Sequence, residues 1–142
     1  MSINTFMADY KRVWEGQDKH GFAALFTPDG TYHNTPFQVQ QGPEELAAYW
    51  ARIELQRDIS LRYEVLAQTP TGGVAHWHVA YQVASEELFQ IWAASTGTGL
   101  PDRKPGDPLP RMILDGMLTA EFSTNGLCCD ARIWWHSTVD GG

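Results

Sequence analysis

His76 and His78 stand two residues apart in an alternating stretch, so on a strand their rings project side by side from one face, an arrangement that suits an acid–base pair or two ligands of a metal ion. A third ligand would have to come from His33, His136 or Asp115, and because no spacing fixes one, no metal is expected. Tyr32 and Asn34 likewise share a face. A phenol can donate a hydrogen bond, whereas an amide takes up no proton at neutral pH and only orients a water or a carbonyl. Asp115 precedes Gly116, and a bulge at that glycine would swing the acid into an interior, while a regular strand leaves it within pairing distance of Arg132. The adjacent Cys128 and Cys129 would point to opposite faces of a strand, too strained to bridge, and are read as reduced thiols. No serine nucleophile motif, Gly-rich phosphate loop or basic aromatic patch occurs.

Positioning these groups is the task of 142 residues, 43% of them hydrophobic and 19% charged, a balance that predicts one globular domain over 1–142. Ten Lys and Arg against seventeen Asp and Glu give a net charge of -7, which disfavours nucleic acid and membrane surfaces as partners. Without a long apolar run or an export signal, a cytoplasmic location is expected.

Apolar residues at helical spacing (Ile3, Phe6, Met7, Tyr10, Val13, Trp14) predict a helix over 2–17, loosened at Gly16. Asp18 caps a second helix carrying Phe22, Leu25 and Phe26, stopped by Pro28. Asp29-Gly30 predicts a turn into a short edge strand over 31–35. Gly42-Pro43-Glu44-Glu45 opens a third helix, running to about Gln56 with Leu46, Tyr49, Trp50 and Ile53 on its stripe. Period-two alternation then predicts strands over 59–67 and 74–84, a short helix over 85–95, a long loop to Pro110, and two strands, 111–122 and 127–138, joined at Asn125-Gly126.

Trp77, Val79 and Tyr81 form the more apolar face of their strand and should turn toward the helices, leaving His76 and His78 outside. On the last strand Leu127, Cys129, Ala131, Ile133 and Trp135 should face inward. Asp130, Arg132, Trp134 and His136 then lie outward, a mixture of charge and aromatic surface that points to a homodimer through the outer sheet face.

Trp14, the stretches from Phe22 to Tyr32 and from Gly42 to Trp50, and Ile133-Trp134-Trp135-His136 resemble SnoaL-like proteins of the nuclear transport factor 2-like superfamily, over nearly the whole chain except about 86–110. The resemblance implies an α+β, cystatin-like cone, with three N-terminal helices packed on a curved, mostly antiparallel sheet. It also implies a pocket that relatives use for isomerase, dehydratase, hydrolase or purely binding roles. The base position of ketosteroid isomerases falls near Asn34, and Tyr32-His33-Asn34-Thr35-Pro36 is similar to the Tyr-x-Asn-x-Pro stretch of limonene epoxide hydrolases, although Ile133 stands where those carry a second Asp. Scytalone dehydratases work with histidines and tyrosines, which draws attention to His76 and His78.

The pocket is thus expected to hold a small, largely apolar molecule without any cofactor. Tyr32 and Asn34 serve as its polar anchor, Trp50, Trp77, Tyr81, Met112, Leu114 and Trp135 as walls, and Phe89 or Trp92 as contacts from a lid over 86–110. Two versions stand side by side. A cofactor-free isomerase, lyase or hydrolase would use Tyr32 and Asn34 with His33, His78 or Asp115 as proton carrier. A non-catalytic binding or dimerisation module would leave Asp115, His76 and His78 outside and line the cavity with apolar and amide groups alone.

Overall fold

The stripe from Ile3 to Trp14 folds as helix α1 (Ile3–Glu15), begun by the Ser2 hydroxyl accepting from the Thr5 amide at 3.2 Å. The computed structural model describes residues 2–94, 97–98 and 103–140. After α1 the chain reverses at Gln17, which takes φ 53°, and not at Gly16, whose φ of -85° is ordinary. Gln17 is held in that conformation by its own side chain, which donates to the carbonyls of Ile53 (2.8 Å) and Gln56 (2.7 Å). Asp18 caps α2 (Lys19–Ala23) by accepting from the Gly21 amide at 2.8 Å. That helix stops at Ala23, well before Pro28.

Strand β1 (Phe26–Thr35) begins five residues ahead of the stretch predicted as a strand, and the expected Asp29-Gly30 turn lies inside it. A side chain at residue 30 would stand 2.9 Å from the Phe26 Cβ and 3.1 Å from the Cys128 carbonyl oxygen, so the glycine serves a close approach between β1 and the last strand. Strand β2 (Gln38–Gln41), unforeseen from the sequence, pairs antiparallel with β1. Helix α3 (Gly42–Trp50) has Pro43 in its first turn, and Glu45 accepts from the Gln41 amide at 2.9 Å. A 3-10 turn over Ala51–Leu55 takes the place of the helix's expected last turn.

The remaining strands are β3 (Gln56–Thr69), β4 (Gly72–Val83), β5 (Gly97–Thr98), β6 (Arg111–Phe122) and β7 (Cys128–Val139), with helix α4 (Glu86–Ala94) between β4 and β5. They join β1 and β2 in one curved sheet of order β2-β1-β7-β6-β4-β3, with β5 beside β7. Its pairings are antiparallel except β1–β7 and β5–β7, which are parallel.

Alternation along β4 buries Ala75, Trp77, Val79, Tyr81 and Val83 against the helices and leaves His76, His78 and Gln82 less covered. On β7 the register slips between Glu121 and Phe122 of its neighbour, so Cys128 is buried instead of Cys129, and both thiols are free. One end of the core is a cluster of aromatic rings. Phe22 and Trp50 stack with centroids 3.8 Å apart and planes 4° from parallel, and Trp14, Tyr10 and Tyr32 meet Trp50 edge-on or tilted. Lys11 donates to the Leu61 carbonyl and Glu15 accepts from the Leu61 amide (2.9 Å), fixing α1 to β3. No helix among the described residues is long and apolar enough to cross a membrane.

Candidate functional site

Between the helices and the concave face of the sheet lies a hollow of about 90 Å³. Tyr32 and Asn34 from β1, Trp50 from α3, Trp77 and Tyr81 from β4, Leu114 from β6 and Trp135 from β7 all line it, bringing together most of the residues expected to form a pocket. Met112 does not line it; this side chain is fully buried in the core beside it. The expectation for Trp92 falls on a side chain outside the described ones.

Several wall residues were not anticipated: Trp14, Tyr49, Arg52, Gln56, Ile133, and, from α4, Leu88 and Ile91. Trp14 and Tyr49 belong to the helical stripes that were visible in the sequence, so their type and spacing carried the signal. Arg52 gave none, because only the change from α-helix to 3-10 turn brings it to the mouth, where its guanidinium lies 4.2 Å from the centre of the Tyr49 ring. Phe89 turns away from the hollow and packs beneath Arg103, whose guanidinium carbon lies 4.7 Å from its ring centre.

Apart from the Arg52 guanidinium, the polar groups lining the hollow among the described residues are neutral. The Tyr32 hydroxyl pairs with that of Tyr10 at 2.7 Å, and burial pushes both phenols up from their ordinary value. Burial likewise raises Tyr49, against the pull of Arg52, and raises Tyr81. All four are therefore protonated donors at neutral pH. Asn34 donates its amide to Gln38 Oε1 at 2.9 Å, and its backbone carbonyl accepts from the Trp135 indole at 2.7 Å, tying β1 to β7 across the mouth. Trp14 donates to Gln56 Oε1 at 2.8 Å. No carboxylate, histidine or cysteine belongs to the lining among the described residues.

The titratable cluster sits on the opposite side of the sheet. His76 Nε2 and His78 Nδ1 both meet the Asp115 carboxylate, at 2.7 and 2.9 Å. Burial pushes Asp115 up, but the hydrogen bonds from His78 and His76 outweigh it and hold the acid below the usual carboxylate range. The strand runs unbroken past Gly116, so the bulge that would have carried Asp115 inward is absent. The expected Asp115–Arg132 pair does not form either. In the β6–β7 register Asp115 faces His136 while Arg132 faces Thr119, and Arg132 pairs with Asp130 at 2.9 Å. His33 also turns outward, 3.1 Å from Asp130. His76 and Asp115, though not His78 or His33, border an open trough of about 590 Å³ that also takes in His136 and the exposed Trp134. Among the described residues no group of three or more His, Cys, Asp and Glu is arranged to hold a metal ion.

A family model described as the SnoaL-like domain matches residues 7–106. The match includes most of the 86–110 segment that the sequence set apart from its relatives. No curated protein matches the sequence. Solved structures share the fold at low identity. A computationally designed 17-OHP binder superposes with a TM-score of 0.70 at 14% identity, covering 100% of both chains. The epoxide hydrolase/cyclase-like enzyme SalBIII, described in pyran ring formation in the polyether salinomycin, gives 0.69 at 12%, covering 96% of this chain and 94% of that one. A putative polyketide cyclase from a Silicibacter species gives 0.62 at 16%, covering 94% and 88%.

Proposed function

Because this chain belongs to the SnoaL-like domain family, we propose that it holds a small, largely apolar molecule in the hollow between helices and sheet, binding and polarising it without proton abstraction. One observation carries this reading: the enclosed, ring-walled space contains hydrogen-bond donors and amides, while His33, His76, His78 and Asp115 all lie on the sheet's outer face. A general base must reach the proton it removes, and none of these groups reaches the interior. The raised phenols of Tyr49 and Tyr81 stay protonated, so they serve as donors to a ligand oxygen, whereas the Tyr32 hydroxyl is engaged by that of Tyr10.

Size narrows the guest. About 90 Å³ is less than the roughly 150 Å³ cavity that accommodates benzene, so a ring ligand seats one end inside and projects the remainder past Gln38 and Ile91, the exposed members of the lining. The neighbouring outer face carries Arg62, Arg132, Glu64, Asp115 and Asp130 around Trp134, which is 45% exposed, and this self-complementary mixture suits pairing of two copies.

Thermal unfolding followed across a panel of terpenoids, steroids and polyketide-like aromatics tests the reading. A ligand near 100 times its Kd stabilises by about 2.7 kcal/mol and raises Tm by several degrees. A panel without any shift, or turnover of a ligand abolished by His78→Ala, contradicts it.

A further inference from the structure

Two buried polar atoms of residues lining the hollow lack partners among the described residues. The Trp77 side chain is fully buried and its indole N–H donates to nothing, although the indoles of Trp14, Trp50 and Trp135 are each satisfied, by Gln56 Oε1, the Val13 carbonyl and the Asn34 carbonyl. Asn34, 4% exposed, commits its amide nitrogen to Gln38 and leaves Oδ1 buried without a donor. Burying either atom unpaired is unfavourable, and the great majority of such groups in folded proteins find a partner. Both residues line the same space, Trp77 carrying the unpaired donor and Asn34 the unpaired acceptor.

We propose that the guest is a neutral, hydroxylated ring compound: an oxygen of it accepts from the Trp77 indole N–H, and a hydroxyl of it donates to Asn34 Oδ1. This rests on the reading of the hollow as a binding site and adds the chemistry of its ligand. A pure hydrocarbon leaves both atoms unpaired, and an ether or ketone satisfies Trp77 alone. A carboxylate finds no buried cation among the described residues, where the one cation of the lining, Arg52, packs against the Tyr49 ring. The rings of Trp50, Trp77 and Trp135 supply the apolar contact that a flat ring needs.

The protein contains six tryptophans, so ¹⁵N-indole labelling gives six N–H cross-peaks to follow during titration with phenol, anisole, toluene and benzoate. Phenol should bind at least about threefold tighter than toluene, in line with one or more net hydrogen bonds, with anisole between them. Phenol, and not toluene, should move the Trp77 cross-peak downfield, and Asn34→Leu should remove most of phenol's advantage while toluene affinity stays within about twofold. The wild-type spectra decide the matter even where the variant folds poorly. Equal affinities for phenol and toluene with an unmoved Trp77 peak overturn the hydroxylated ligand and leave the apolar binding site standing. Tightest binding of benzoate overturns it in favour of charge capture at Arg52. Failure of all four probes to bind at millimolar concentration removes both this inference and the binding site beneath it.

Discussion

The hydroxyls of Tyr10 and Tyr32 meet 2.7 Å apart, each side chain buried, one delivered by the first helix and the other by the first strand, where Tyr32 lines the hollow. Each hydroxyl is the other's only hydrogen-bond partner among the described residues. Removing one therefore strands its mate in an apolar surrounding, whereas removing both leaves nothing unsatisfied. Tyr32→Phe should cost about 1–3 kcal/mol in urea unfolding, and adding Tyr10→Phe should recover a substantial part of that loss. A double variant with the full sum of two losses would show that the pair is not a closed unit.

Helix α4 forms one wall of the hollow through Leu88 and Ile91 and is fastened by Arg103, which reaches both carboxylate oxygens of Glu86 at 2.9 and 2.7 Å. Those hydrogen bonds, against the opposing effect of desolvation, hold Glu86 down to about 2. A depressed carboxylate stabilises the closed helix above its ordinary value of 4.5, and that stabilisation drains away as pH falls from 4.5 toward 2. Amide exchange in α4 should accelerate over this window ahead of exchange in β4. Arg103→Gln should show fast exchange already at neutral pH, faster ligand release, and a Tm within about two degrees of wild type.

Gly116 gives the Trp77 ring its place. A methyl group there would stand 2.6 Å from the Trp134 carbonyl oxygen, 2.7 Å from Trp77 Cζ2 and 2.9 Å from the Trp135 Cβ. Two of these three contacts are with backbone or near-backbone atoms that cannot swing aside. Gly116→Ala should cost about 1–3 kcal/mol and push the Trp77 indole toward the hollow, weakening any ligand by more than the stability loss alone explains. Unchanged stability and affinity would show that the sheet yields there more easily than the geometry implies.

Asp115→Asn separates the two faces of the sheet. The acid is half-exposed on the outer face, so losing its bonds to His76 and His78 should cost no more than about 1 kcal/mol, as for surface pairs. Because its depressed value stabilises the protein above the ordinary carboxylate range, the variant should lose part of the acid-induced fall in stability below about pH 4. Ligand affinity should stay within about twofold. A tenfold loss of affinity would move the binding site to the outer trough.

Most of the architecture was legible in the sequence because it rests on period. The α1 stripe, the Asp18 cap and the alternation of β4 each follow from local spacing, and the same alternation placed His76 and His78 outside. What was missed depends on contacts distant in sequence. Asp29-Gly30 has the chemistry of a turn, yet pairing with β7 draws it into a strand. The shift in register near Cys128 reverses which cysteine is buried, and the registers of β4 and β7 on β6 give Asp115 to two histidines instead of Arg132. At the site, the walls that the strands supply, Trp77, Tyr81 and Trp135, could be read from alternation and Trp50 from its helical stripe, whereas Trp14 and Tyr49 were read only as helix-stripe residues. The unpaired Trp77 N–H could not, since it is defined by every neighbour that fails to reach it.

The most direct test of the hollow as binding site is to fill it. Ile133 lines the space and is 4% exposed, so Ile133→Phe adds ring volume where a guest would sit. Titration of this variant and the wild type with phenol, read from tryptophan emission alongside Tm, should show affinity falling at least tenfold while Tm changes by no more than a few degrees. Retained affinity in a folded Ile133→Phe protein would contradict a binding site inside the cone.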